Sequence, residues 1–255
     1  MLKVFITGAS SGIGWALAEY YAAQGAQLGL SARRADLLQR LAASWPGQVI
    51  CYPLDVTDAA ALRAAGDDFI ARLGAPDIVI ANAGVSVGTL TECADDLEAI
   101  RRVMDVNFFG MAATFSPFIA AMRQAGGGRL VGIASLAGIR GLPGAEAYSA
   151  SKAAAISYLE SLRLELRASA IKVVTICPGY IRTPMTEGNP FPMPFLMPAD
   201  VAARRFARAI ARGSSYSVIP WQMGVVAKLL RLLPNSLYDR LFAAAPRKPR
   251  RPLPP

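Results

Sequence analysis

Leu2-Lys3-Val4-Phe5-Ile6-Thr7-Gly8-Ala9-Ser10-Ser11-Gly12-Ile13-Gly14 decides the fold. A short apolar run passes straight into a turn with three glycines, and residues of helical spacing follow. Glycine lets a backbone turn sharply, and a helix that starts there offers its first amides to an anion. The spacing therefore predicts a strand, a phosphate-sized cradle and a helix, with Gly8, Ser10, Ser11, Gly12, Ile13 and Gly14 as candidate cofactor contacts. Read alone, the same glycines would also suit an ordinary strand-to-helix turn.

The rhythm continues outward from that turn. Further apolar runs predict strands near Leu2–Ile6, Gln27–Leu30, Val49–Tyr52, Ile78–Ala81, Arg129–Ala134, Lys172–Ile176 and Tyr216–Ile219. Helical periodicity fills the gaps at Ile13–Gln24, Ala35–Ala43, Ala59–Leu73, Leu97–Arg123, Tyr148–Ala168 and Ala199–Arg212. Strands that are apolar on both faces, alternating with helices, point to an α/β fold with a doubly wound, mostly parallel seven-stranded sheet. Ligand is then expected beyond the carboxyl ends of the strands. Of the 255 residues, 53% are apolar and 18% charged, which suits one large core and excludes a disordered chain. Residues 1–220 read as one domain and residues 221–255 as an extension.

Several function classes fall away on composition. With no histidine, a Ser-His-Asp triad cannot be built. Three scattered cysteines, Cys51, Cys93 and Cys177, form neither a disulfide framework nor a zinc site, so no metal is expected and reduced thiols suit the cytoplasm. The N-terminal apolar run is too short for a signal peptide. The end of the second strand, Leu30-Ser31-Ala32-Arg33-Arg34, lacks the acid an NAD-selective site places against the ribose hydroxyls. Arg33 and Arg34 can instead hold a 2′-phosphate, which favours NADP(H) over NAD; a solvated helix start would look the same.

Tyr148 and Lys152 stand four residues apart in Tyr148-Ser149-Ala150-Ser151-Lys152, on one face of a predicted helix, with Ser135 thirteen residues upstream of Tyr148. Hydride addition to a carbonyl builds negative charge on oxygen, so the site needs a donor to that oxygen and a proton source. Ser135 suits the first task and Tyr148 the second. A cation such as Lys152 would stabilise the phenolate.

With these residues in view, the chain over about residues 2 to 220 resembles the short-chain dehydrogenase/reductase family, whose Rossmann fold is the doubly wound sheet inferred above. The resemblance implies that Asn107, in Val106-Asn107-Phe108, completes a catalytic tetrad with Ser135, Tyr148 and Lys152, holding a water that relays protons to Lys152. It implies that Asp55 and Val56 lie against adenine, that Asn82-Ala83-Gly84 shapes the cofactor floor, and that Lys152 bonds the nicotinamide ribose. Pro178-Gly179-Tyr180-Ile181-Arg182-Thr183 resembles the segment that meets the nicotinamide amide, which makes Pro178, Gly179, Ile181 and Thr183 candidate contacts. Ala81 and Ala134 replace an Asn and a Ser often found in the family, and neither change removes a catalytic group. The resemblance implies an NADP(H)-dependent oxidoreductase interconverting carbonyls and secondary alcohols. It also implies a homo-oligomer, dimer or tetramer, built through Leu97–Arg123 and Tyr148–Ala168. A cofactor-binding sensor or scaffold without chemistry is the alternative.

Two segments vary beyond that pattern. Residues 183–198 alternate Phe or Met with Pro, an expected lid for an apolar small-molecule substrate, although side chains that simply pack the lid onto the core would give the same pattern. Residues 221–255 begin at Trp221, carry Lys228, Arg231, Arg240, Arg247, Lys248, Arg250 and Arg251 against Asp239 alone, and supply +6 of the net +9. Such a segment suits peripheral contact with an anionic membrane face and is too short and charged to span it. Packing of Val225, Val226, Leu229, Leu230, Leu232 and Leu233 on the protein itself or on a second subunit is the competing expectation. No nucleic-acid module is visible, and none is expected as a partner.

Overall fold

In the computed structural model, which describes residues 1–250, every ladder of the main sheet is parallel. The strands are β1 (Lys3–Thr7), β2 (Gln27–Ala32), β3 (Val49–Pro53), β4 (Ile78–Ala81), β5 (Gly128–Ile133) and β6 (Ile171–Pro178). A small pair, β7 (Ile181–Arg182) and β8 (Met197–Pro198), stands apart, and β9 (Tyr216–Ile219) completes the main sheet in the order β3-β2-β1-β4-β5-β6-β9. The winding reverses between β1 and β4. A crevice must open there, because the segments leaving the two strands diverge to opposite faces.

The strands alternate their side chains between two apolar layers, as period two requires. Val4, Ile6, Leu28, Leu30, Ile78, Ile80, Val131 and Val174 meet the helices α1 (Gly12–Ala22), α2 (Ala35–Ala43) and α8 (Ala199–Arg212). Phe5, Val79, Leu130 and Val173 face α3 (Ala59–Leu73), α5 (Gly110–Phe115), α6 (Ile119–Gln124) and α7 (Glu146–Glu165). Phe5 meets Phe69 edge-on at 5.6 Å. Each such fully buried side chain stabilises the fold by roughly 1.5–3 kcal/mol.

The predicted sheet is the observed one, and strand ends shift by at most about two residues. The continuous helix expected at Leu97–Arg123 is the main departure. It runs as α4 (Asp96–Met104), a π-helical turn at Asp105–Phe109 and α5, then breaks at residues 116–118 before α6. Pro117 cannot donate a helical hydrogen bond, which accounts for the break. The wide turn carries Asn107 inward, a local irregularity of the kind often found at functional positions. Likewise α7 begins two residues before Tyr148 and ends at Glu165.

Beyond β9 the chain forms α9 (Trp221–Leu232) and α10 (Asn235–Phe242). Arg140 ties both down, donating from Nη1 to the carbonyls of Leu230 (2.6 Å) and Leu233 (2.8 Å) while its guanidinium lies 3.9 Å from the centre of the Tyr238 ring. The residues that pack inward are Met223, Ala227 and Tyr238. Val225, Val226, Leu229 and Leu232, expected as the packing face, are exposed within the single chain. Arg251 lies outside the described residues.

Candidate active site

The crevice at the β1/β4 reversal is a cleft of about 740 Å³, large enough for an extended organic ligand. Its floor is the glycine turn. Gly8 has a left-handed φ of 69°, and a Cβ on Gly14 would overlap the Gly8 carbonyl oxygen, so the turn can close onto α1 only without side chains there. Asn82 staples this turn to the end of β4: its Nδ2 donates to the carbonyls of Thr7 (3.1 Å) and Gly8 (3.2 Å). Ser11, at the N-cap of α1, makes no side-chain cap. The first amides of α1 thus receive no cap from the Ser11 side chain and stand beside the cleft, which is the donor set a pyrophosphate takes.

Ser11 is engaged elsewhere. Arg34 Nη2 donates to Ser10 Oγ and Ser11 Oγ, each at 2.9 Å, drawing its guanidinium across the glycine turn, and Arg33 lines the same wall. Asp55 and Val56 follow on the cleft margin, Asp55 paired with Arg102 and accepting from the Thr57 amide at 2.9 Å. Burial acts to raise the Asp55 carboxyl, but the Thr57 and Arg102 hydrogen bonds outweigh it and hold the group below its usual range. Ala83, Gly84, Pro178, Gly179, Ile181 and Thr183 complete the lining. The sequence-predicted contacts therefore converge on one cleft, except Gly14 behind the turn and Asn107 beneath Gly84, where a Cβ on Gly84 would stand 3.2 Å from Asn107 Oδ1.

Ser135, Tyr148 and Lys152 meet at one end of this cleft. Ser135 leaves β5 in extended conformation, and its Oγ accepts from the Ala137 amide at 3.1 Å, which fixes the hydroxyl. Burial raises the Tyr148 phenol above its ordinary range, while a hydrogen bond with Ser135 pulls in the opposite direction. One turn later on α7, Lys152 is buried, donates from Nζ to the Ile133 carbonyl at 2.8 Å and lies 5.8 Å from the centre of the Tyr148 ring. Burial lowers its pKa to about 8, leaving it largely protonated at neutrality. A hydroxyl donor, a phenolic proton and an ammonium are thereby gathered where a carbonyl oxygen could accept from the first two.

Asn107 acts as a clamp. Its Oδ1 accepts from the Val85 amide (2.8 Å), and its Nδ2 donates to the Val85 carbonyl (3.0 Å) and to Ser151 Oγ (2.9 Å). Replacement by Ala would leave buried groups unpaired. Asn107→Ala is expected to lose about 2–4 kcal/mol of stability, read from urea denaturation midpoints; a loss within experimental error would show that these bonds contribute little.

Some lining residues carried no sequence signal for the cleft. Ser86 and Val87 follow the Asn82-Ala83-Gly84 segment, and Lys248 and Pro249 arrive from the C-terminal tail. The expected apolar lid also differs. Residues 183–189 form the wall, held by Thr186, whose Oγ1 donates to the Ile181 carbonyl at 2.7 Å, while Phe195 is exposed.

The family described as short chain dehydrogenase matches this chain over residues 3–190. An uncharacterized oxidoreductase of Myxococcus xanthus is 41% identical over 237 residues, covering 92% of this chain and 93% of its own length. The 11-beta-hydroxysteroid dehydrogenase-like 2 protein of Arabidopsis thaliana is 36% identical over 226 residues, 85% of this chain and 73% of that protein. Among solved structures, a short-chain dehydrogenase from Streptomyces avermitilis superposes with a TM-score of 0.79 at 29% identity, covering 94% of this chain and 95% of the other.

Proposed function

Since the chain belongs to the short-chain dehydrogenase family of oxidoreductases, we propose that it interconverts a carbonyl and a secondary alcohol with NADP(H) as cofactor. The observation that carries this reading is the convergence of Ser135, Tyr148 and Lys152 at the end of a cleft whose other end is the glycine turn. When bound, the nicotinamide supplies the hydride in reduction or accepts it in oxidation. Ser135 Oγ donates to the carbonyl oxygen and holds it beside Tyr148. The Tyr148 hydroxyl gives its proton to that oxygen as charge develops, and takes it back in the reverse direction. Lys152 stabilises the resulting phenolate. Around them, Ile133, Ala134 and Val85 give the cleft an apolar lining.

The residues fit a dinucleotide. The uncapped amides of α1 suit the pyrophosphate, Asp55 and Val56 the adenine, and Arg33 and Arg34 a 2′-phosphate. A charge-assisted bond of this kind contributes about 1.5–3 kcal/mol. In Arg33→Ala and Arg34→Ala, NADPH affinity is therefore expected to fall about tenfold or more while NADH affinity changes little, as measured by fluorescence titration. A parent protein that prefers NADH, unaltered in both variants, would contradict the assignment. For the substrate, an apolar body is favoured by Val85, Val87 and Met185 on the cleft wall and by a relative described as hydroxysteroid dehydrogenase-like.

The decisive experiment follows NADPH absorbance over a panel of aldehydes and ketones, with secondary alcohols and NADP⁺ in parallel. Turnover of apolar members supports the proposal. Tight NADPH binding without turnover of any member would favour a sensor instead.

A further inference from the structure

The last described residues fold back over the reacting end of the cleft. Arg250 grips the largely buried Asp96 at the start of α4 with two bonds, Nε to Oδ2 at 2.8 Å and Nη2 to Oδ1 at 3.0 Å. Asp96 Oδ2 is itself set by the Leu90 amide at 2.8 Å. The Gly88 amide donates to the Pro249 carbonyl at 3.1 Å. Two glycines make the seat. A Cβ on Gly88 would overlap the Lys248 carbonyl oxygen, and one on Gly144 would come within 2.8 Å of Arg247 Cβ. Residues 247–250 thus form a strap fastened at several points along its length.

The strap brings one charge into the site. Lys248 Nζ donates to Ser86 Oγ at 2.6 Å and lies 5.7 Å from the centre of the Tyr148 ring. It is half-buried, and that burial lowers its pKa to about 8, so it still carries its proton at neutrality. Among the described residues no carboxylate lies within ion-pair distance of it: Arg250 occupies Asp96, and Arg102 occupies Asp55. Ser86 accepts one of the three ammonium protons, which leaves the others able to serve a ligand. A half-buried cation without a counter-charge is costly unless an anion meets it.

We propose that Lys248, carried into the site by the strap, selects substrates that bear a carboxylate a short distance from the reacting carbonyl. The inference rests on the carbonyl-reductase reading above and narrows it: the substrate has an apolar body and one anionic group. One ammonium with a hydroxyl neighbour suits a singly charged carboxylate better than a phosphate dianion, which draws on several donors. The residue is specificity-determining, and the proton and hydride steps remain with the groups already described.

The test uses the full-length chain saturated with NADPH and a ladder of keto acids of increasing length, each beside its methyl ester. Within at least one matched pair, kcat/KM is expected to favour the acid by about tenfold or more, since the ester cannot offer the ammonium a charged partner. In Lys248→Met the acid-to-ester ratio should fall at least fivefold, and Lys248→Arg should restore most of it. Asp96→Asn, which loosens the strap without altering the cation, should lower the same ratio. A ratio unchanged in Lys248→Met overturns the proposal. So does faster turnover of acids and esters alike in that variant, which would make the strap a plug that obstructs the site. If neither acids nor esters are reduced, the carbonyl-reductase reading fails, and calorimetric titration still decides the anion site: binding of the acid over its ester that is lost in Lys248→Met sustains it, and equal binding removes it.

Discussion

Tyr148→Phe is expected to lower kcat for carbonyl reduction by about 10²–10⁴-fold, the usual contribution of a positioned general acid. The substitution keeps the ring that Lys152 and Lys248 flank and deletes only the hydroxyl that meets Ser135. Stability should change little, since a ring of the same shape remains. Cofactor affinity, measured independently, should stay within a few-fold, so the loss should appear in kcat. A decrease of less than about tenfold, equivalent to about 1.4 kcal/mol of barrier, would remove Tyr148 from the proton path. The burial that raises this phenol favours its protonated form, which is the form reduction consumes.

Lys152→Met is expected to move activity and stability in opposite directions. The ammonium is buried and bonded to the Ile133 carbonyl, and among the described residues the titratable groups that face it are Tyr148 on its own helix and Cys177 on β6, with no carboxylate. The Cys177 thiol, pushed up to about 11 by burial, stays neutral through the working range. Holding a charge there costs about 3 kcal/mol at pH 7, the fall from 10.5 to about 8 expressed as free energy. Because the folded pKa lies below the unfolded one, this cost is complete below about pH 8 and is relieved as pH climbs toward 10.5, so the native state gains stability over that interval. Methionine abolishes the cost at neutral pH, offset by the lost hydrogen bond. Tm at pH 7 should therefore be equal or higher, while kcat falls by about 10²-fold or more. In the parent enzyme, reduction should decline as pH passes about 8 and the amine loses its proton. A variant that unfolds at lower temperature yet keeps its activity would reverse the assignment.

How far the sequence carried the site depends on whether the signal was local. Tyr148 and Lys152 were readable because four residues along a helix set two side chains on one face. The glycine turn was readable because Gly8 and Gly14 answer a backbone demand that other residues cannot meet. The π-helical turn was not, since Asp105–Phe109 has the same apolar spacing as the helices beside it and departs from them only in which carbonyl each amide reaches. The side chains of α9 were legible only in part for a related reason: an apolar stripe announces a face to be covered without saying what covers it, and within the single chain Met223 and Ala227 dock while Val225, Leu229 and Leu232 stay outward.

By itself the sequence determined the parallel sheet, its strands, the glycine turn and the pair at the head of α7, because periodicity and short fixed spacings are properties of neighbouring residues. Only the tertiary structure decided where residues 247–250 of the basic tail lie. Lys248 meets Ser86 across 162 positions and Arg250 meets Asp96 across 154, and no local pattern encodes a contact between segments so distant along the chain. Their partners are set by how the whole domain closes, which makes Lys248 part of the cleft wall and Arg250 a fastening beside it.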